Sequence, residues 1–265
     1  MGKKLSKAPV YYTIAQAQFN PILDLEAYIP AIQARMREMQ FPDFKQEIIQ
    51  RLILPFGGVE AGQMAAPTLS PQSRYQFGDI EGRSLFLLDT NTLSFQTTAY
   101  DTFEVFSKDV LNGLAIIHEA LRLDFIERIG VRYLDAILPY KAGDTLREYL
   151  VPEVLAFSFR DVGQLQHSIS ETVTATPSGQ LTSRVVIRNG HVGLPADLTA
   201  LAPSIDPRFT QQPETLHAII DTDASFTSRE PFDVAKVAKL LSSLHEEINL
   251  SFKATVTPYA LNEWA

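Results

Sequence analysis

Between Asp101 and Leu138 two periodicities follow each other with almost no gap, and few architectures accept that arrangement. Phe103, Phe106, Val110, Leu114, Ile117 and Leu121 recur at steps of three and four, the apolar stripe of an α-helix. From about Phe125 to Leu138 the pattern turns into alternation, which is the signature of a strand. Asp101 followed by Glu104 has the form of a capping box, and both acids suit the positive end of the helix dipole. Gly113 in mid-helix costs about 1 kcal/mol against Ala. Close approach of another element is expected there.

The strand that follows carries the most specific motif of the chain, Arg128-Ile129-Gly130-Val131-Arg132-Tyr133. Alternation puts Phe125, Glu127, Ile129, Val131, Tyr133, Asp135 and Ile137 on one face. Ile126, Arg128, Gly130, Arg132, Leu134 and Ala136 fall on the other. Arg128 and Arg132 are separated by roughly 13 Å of chain, and Gly130 leaves room between them. Two readings fit. Two guanidinium forks could hold a phosphate or carboxylate, or each arginine could be matched by Glu or Asp from a neighbouring strand. Arg128, Gly130, Arg132 and Tyr133 form the candidate ligand-binding set.

Elsewhere the chain reads as strands and helices in a repeating order. Val10–Phe19 alternates, with Tyr11, Thr13, Ala15, Ala17 and Phe19 on one face, and Leu25–Met39 is helical. Residues 44–54 fit either a short strand or a loop. Short turns then separate three strands ahead of the central helix, which implies an antiparallel meander. After Leu138 come a short helix at Thr145–Leu150 and strands at 165–176, 181–188 and 215–226. The last helix has the stripe Val234, Val237, Leu241, Leu244, Ile248 and Phe252. The stretches 55–72 and 189–212 are rich in proline and irregular. Gly57-Gly58 lacks the Lys-Ser/Thr of a phosphate loop.

The two best helices align at a constant offset: Val110 with Val237, Leu114 with Leu241, and His118-Glu119 with His245-Glu246. The order strand, helix, three strands, helix appears twice. The predicted fold is α+β, built from two pseudo-repeated halves, 1–124 and 125–265. Each half is an antiparallel sheet with helices on one face, and the halves pack as one unit. The free faces of the two sheets would meet or form a cavity.

Composition narrows the function classes. The net charge of −8 comes with no visible basic patch, which disfavours nucleic acid as a partner. The absence of cysteine removes disulfides, thiolate metal sites and cysteine nucleophiles. No stretch approaches the ~20 apolar residues of a membrane span. The N-terminal region has no signal-peptide core, so the expected compartment is the cytoplasm. No nucleophile elbow, kinase set, dinucleotide fingerprint or zinc pattern occurs, and no cofactor is expected. His118-Glu119 and His245-Glu246 lack a second His at ligand spacing and read as boundary histidines. His217, Asp221 and Asp223 share a strand face, which leaves a weak alternative as a divalent-metal site.

Ala8-Pro9-Val10-Tyr11-Tyr12, Phe19-Asn20-Pro21 and Phe41-Pro42 have a family look. So do the arginine–glycine strand through Leu134-Asp135, the last helix and Trp264. On these residues the chain resembles a sporadically distributed family of uncharacterised bacterial proteins of similar length, over nearly its whole extent. Asn is common in that family where this chain has Asp135. The resemblance implies no particular activity and no catalytic residues. Its patchy distribution implies an accessory role, in defence or a toxin–antitoxin-like pair. The expected function is a non-catalytic binding or regulatory module for a protein partner or a small anionic ligand. The alternative is an enzyme with a carboxylate/His metal site.

Overall fold

The structure, a computed structural model, describes residues 5–53, 68–155, 157, 163, 165–199 and 201–265, with the backbone alone at 51–53 and 68–71. The central stripe does form a helix, α2 (Phe103–Leu121), with Phe106, Val110, Leu114, Ile117 and Leu121 buried. Its cap lies one residue later than the sequence implies. Thr102, in extended backbone, accepts a hydrogen bond from the Val105 amide, so Glu104 sits inside the first turn. Gly113 has the expected close neighbour: a Cβ there would lie 2.3 Å from Cε1 of Phe86.

The strands are β1 (Val10–Phe19), β2 (Asp43–Ile53), β3 (Thr68–Gly78), β4 (Ser84–Leu88), β5 (Thr92–Thr97), β6 (Phe125–Ile137), β7 (His167–Thr176), β8 (Gly179–Gly190) and β9 (Thr215–Pro231). They form one antiparallel sheet in the order β2-β3-β4-β5-β1-β6-β9-β8-β7. The two separate sheets expected from the sequence are therefore joined edge to edge. The first strands of the two halves, β1 and β6, pair with Ala15 opposite Val131 and Ala17 opposite Ile129. Both are long alternating strands, and pairing them removes two exposed edges. Residues 43–53 resolve as a strand, because β2 finds β3 as a partner along its whole length. Within the expected irregular stretch 55–72, residues 68–72 belong to β3, and 55–67, with Gly57-Gly58, lie outside the described residues.

All the longer helices pack on one face. Beside α2 lie α1 (Ile29–Glu38) and α6 (Val234–Thr255), whose Val237, Leu241, Leu244 and Ile248 are buried. The first helix starts later than Leu25, after a 3-10 turn, and Pro30 occupies its opening turn, where no amide hydrogen is needed. A second core on the same face gathers α3 (Leu146–Tyr149), α4 (Pro152–Leu155) and α7 (Pro258–Trp264) around Tyr149 and Trp264.

Between these two cores runs a row of hydroxyls. Ser84, Thr97, Thr13, Tyr133, Thr222, Ser183 and Thr172 are successive cross-strand partners over seven strands. Directly opposed residues share a face, so the row lies on the helix side with Tyr133. The Thr13 and Thr222 hydroxyls are buried without a hydrogen-bond partner among the described residues.

Of the expected irregular stretch 189–212, residues 189–190 end β8, and 191–199 with 201–212 cross the opposite face as packing. It contains a 3-10 turn (Ala196–Leu198) and the short helix α5 (Pro207–Thr210). Val192 and Phe209 close over Tyr11, Tyr12, Leu134 and Ile219. Two departures from strict alternation shape the faces. A register shift between Val10 and Tyr12 turns Tyr11 to the strap side, away from Ala15, Ala17 and Phe19. A second, between Ile126 and Arg128, puts Ile126 in the helix-side core with Ile129 and Val131. Among the described residues no helix is long and apolar enough to cross a membrane.

Candidate functional site

The arginine–glycine strand β6 lies at the centre of the sheet, with β1 on one side and β9 on the other. Arg128, Gly130 and Arg132 face the strap side, as alternation requires. Gly130 stands opposite Gln16 of β1, and Arg132 stands opposite Asp223 of β9. Together with Ile14 and Leu198 these residues line a shallow depression of about 170 Å³.

The two arginines are not equivalent. Arg132 is firmly held, with a bond from each guanidinium nitrogen: Nε donates to Oδ1 of Asp221 at 2.7 Å and Nη2 to Oδ2 at 2.8 Å. Its Nη1 donates to Oδ2 of Asp197, on the strap, at 2.6 Å. Asp221 also accepts from Nη1 of Arg184 at 2.9 Å, and Arg184 Nε donates to Glu171 at 2.6 Å. Arg128 is loosely held. Its Nη1 reaches Gln16 Oε1 at 3.3 Å, and its Nη2 stands 3.9 Å from Oδ2 of Asp223. The guanidinium lies over Gly130, where a Cβ would come within 2.7 Å of Nη1. Thus Gly130 provides the floor on which Arg128 rests, and the gap between the arginines is occupied by Arg128 itself.

Three guanidiniums therefore meet the carboxylates of Asp197, Asp221, Asp223 and Glu171, and the face is not a positive patch. The reading in which neighbouring acids match the arginines describes Arg132 well and Arg128 poorly. The Asp223 carboxylate accepts no hydrogen bond among the described residues. Burial pushes its carboxyl up, against the pull of Arg128 and Arg132.

Tyr133 does not join this group. It points to the helix side, where its Oη lies 3.1 Å from Nδ1 of His245 and 3.3 Å from Oη of Tyr100. Burial lowers the pKa of His245, which stacks on Phe103 at 4.1 Å between ring centres. His118 stacks in the same manner on Phe232 at 4.4 Å. Both are ring-packed boundary histidines. Asp135, two residues beyond Tyr133, is buried with its carboxyl pushed up to about 7 by desolvation.

The metal alternative is not assembled. Asp221 is spent on Arg132 and Arg184, and Asp223 turns toward Arg128. His217 is fully buried, with Nδ1 donating to the Thr215 carbonyl at 3.0 Å. Its cross-strand partner is Arg188, four residues along the strand from the aspartate contacts. Among the described residues no three metal-ligating side chains come together.

Sequence reasoning missed Gln16, Arg184 and Asp197. Gln16 carries a faint signal, since it alternates with Ala15 and Ala17. Asp197 carries none, because it reaches Arg132 from an irregular segment. Comparison with known proteins finds no matching family model and no matching curated protein.

Proposed function

We propose that the chain is a non-catalytic binding module that takes a small carboxylate- or phosphate-bearing ligand on Arg128, in the depression that its guanidinium lines. One observation carries this reading. Among Arg128, Arg132 and Arg184, Arg128 is the most loosely held, with one hydrogen bond at 3.3 Å and one ion pair at 3.9 Å, and it lines an open depression. An incoming anion would replace one long bond to Gln16 and one ion pair at 3.9 Å, so little is lost on binding. It would gain a charge-assisted, two-pronged contact.

The test is calorimetric titration with inorganic phosphate and with succinate. Saturable heat is expected from the wild-type protein with at least one of them. Arg128→Ala should lose it while melting at the wild-type temperature. No binding by the wild type, or equal binding by the variant, would overturn the proposal.

The same reading takes the halves 1–124 and 125–265 as copies of one unit. Two observations support it. In each half a long strand leads to a meander that returns beside it, and a long helix follows. The histidine stacking is also reciprocal: His118 of α2 packs on Phe232 just before α6, and His245 of α6 packs on Phe103 at the start of α2.

A further inference from the structure

The sheet has two outer edges, and they are built differently. β2 carries Asp43, Lys45 and Glu47 at alternate positions of its first half. Charges of this kind, lysine above all, keep an edge from pairing with other strands. β7 reads His-Ser-Ile-Ser-Glu-Thr-Val-Thr-Ala-Thr over ten residues, with Glu171 as its one carboxylate and no lysine or proline. Ile169 and Val173 are 57% and 56% exposed. Among the described residues nothing pairs with the outer side of β7. Its free amides and carbonyls are a template for one more strand.

We propose that this strand is β7 of a second copy of the chain, added antiparallel about a two-fold axis to make one continuous sheet. The edge is self-complementary. With the axis at Glu171, Ile169 of one copy stands opposite Val173 of the other, twice. Ser170 stands opposite Thr172, also twice, on the helix side. β-Branched pairs and hydroxyl pairs of this kind are the favourable cross-strand contacts.

The charges fit as well. Glu171 is bound by Arg184 of its own copy, Nε to Oε2 at 2.6 Å. At the axis the two carboxylates are thus flanked by two guanidiniums and do not face each other bare. Such an interface is isologous and closes on itself, because joining two β7 edges leaves only the charged β2 edges outside. A foreign extended segment is the competing occupant, but it would have to bring this complementarity from elsewhere, whereas a second copy already has it.

The experiment uses the full chain, first by sedimentation and then by cross-linking. The wild-type protein should sediment at twice the chain mass. Val173→Lys, on an exposed side chain, should return it to the monomer with its circular dichroism and melting temperature retained. The chain has no cysteine, so a single introduced one reports contact without ambiguity. Glu171→Cys should form an intermolecular disulfide on mild oxidation, and Glu47→Cys on the opposite edge should not. Amides of β7 should exchange more slowly as protein concentration rises. A wild-type monomer at high concentration, a dimer that survives Val173→Lys, or cross-linking at Glu47 in place of Glu171 would each overturn the proposal.

Discussion

Arg132 and Asp221 face each other through two parallel hydrogen bonds, of 2.7 Å and 2.8 Å, with the Asp221 side chain only 4% exposed. Register explains the pairing. Arg132 stands directly opposite Asp223, yet it takes the diagonal neighbour Asp221, which already stands opposite Arg184. Asp223 is left for Arg128. One arginine becomes structural and the other remains available, although they lie on the same strand face four residues apart.

That difference predicts opposite behaviour on truncation. Arg132→Ala leaves a nearly buried carboxylate with Arg184 as its remaining partner and should destabilise the fold by about 3 kcal/mol. Arg128→Ala removes a loose pair and should cost less than about 1 kcal/mol. Urea unfolding of the two variants compares them directly. The buried Trp264, the one tryptophan of the chain, gives the fluorescence signal.

Gly113 is required by the ring of Phe86. Ala is the better helix former, and at an unobstructed helical site it would stabilise by about 1 kcal/mol. Here its Cβ would fall 2.3 Å from a phenylalanine ring atom that is itself buried. Gly113→Ala should instead destabilise by about 1–3 kcal/mol, the usual cost of overpacking. Equilibrium unfolding decides the sign.

Thr13 and Thr222 bury hydroxyls that have no partner among the described residues. Each unsatisfied group costs about 1–3 kcal/mol, whereas an apolar group of the same shape avoids that cost. Thr13→Val should therefore raise stability by about 1 kcal/mol. Unchanged or lower stability would mean that the hydroxyl is satisfied in solution.

Asp135 makes stability depend on pH. Its carboxyl is raised by burial to about 7 in the fold, against about 3.9 in an unfolded chain. A group raised in this way contributes stability that is complete below its unfolded value and is lost as pH climbs through its folded value. Wild type should weaken between about pH 4 and about pH 7. Asp135→Asn cannot ionise. It should match wild type near the acid end of that window and exceed it above the window by a few kcal/mol. Melting curves across the range test this.

Much of the fold was legible in the chain because it is encoded by local period. The stripes of α2 and α6, the alternation of β6 and the order of elements follow from steps of three, four and two, with no knowledge of partners. The common face of Arg128, Gly130 and Arg132 follows from the same arithmetic, which puts Tyr133 on the opposite face, so its place in the candidate set with them does not hold. Where a bulge intervenes the arithmetic slips. Tyr11 and Ile126 both left their expected faces at register shifts, which depend on the neighbouring strand.

The sequence by itself thus determined the long helices, most of the strands and their order, the helix-covered face and the strand that carries the candidate site. Only the tertiary structure decided that β1 and β6 pair to make one sheet and that residues 191–199 and 201–212 strap its other face. It also decided that Asp221 and Asp197 engage Arg132 while Arg128 stays loosely held. The physical reason is that local periodicity assigns a side chain to a face. Cross-strand register, loop path and the competition of several carboxylates for one guanidinium are set by residues far apart in the chain, and these meet only after folding.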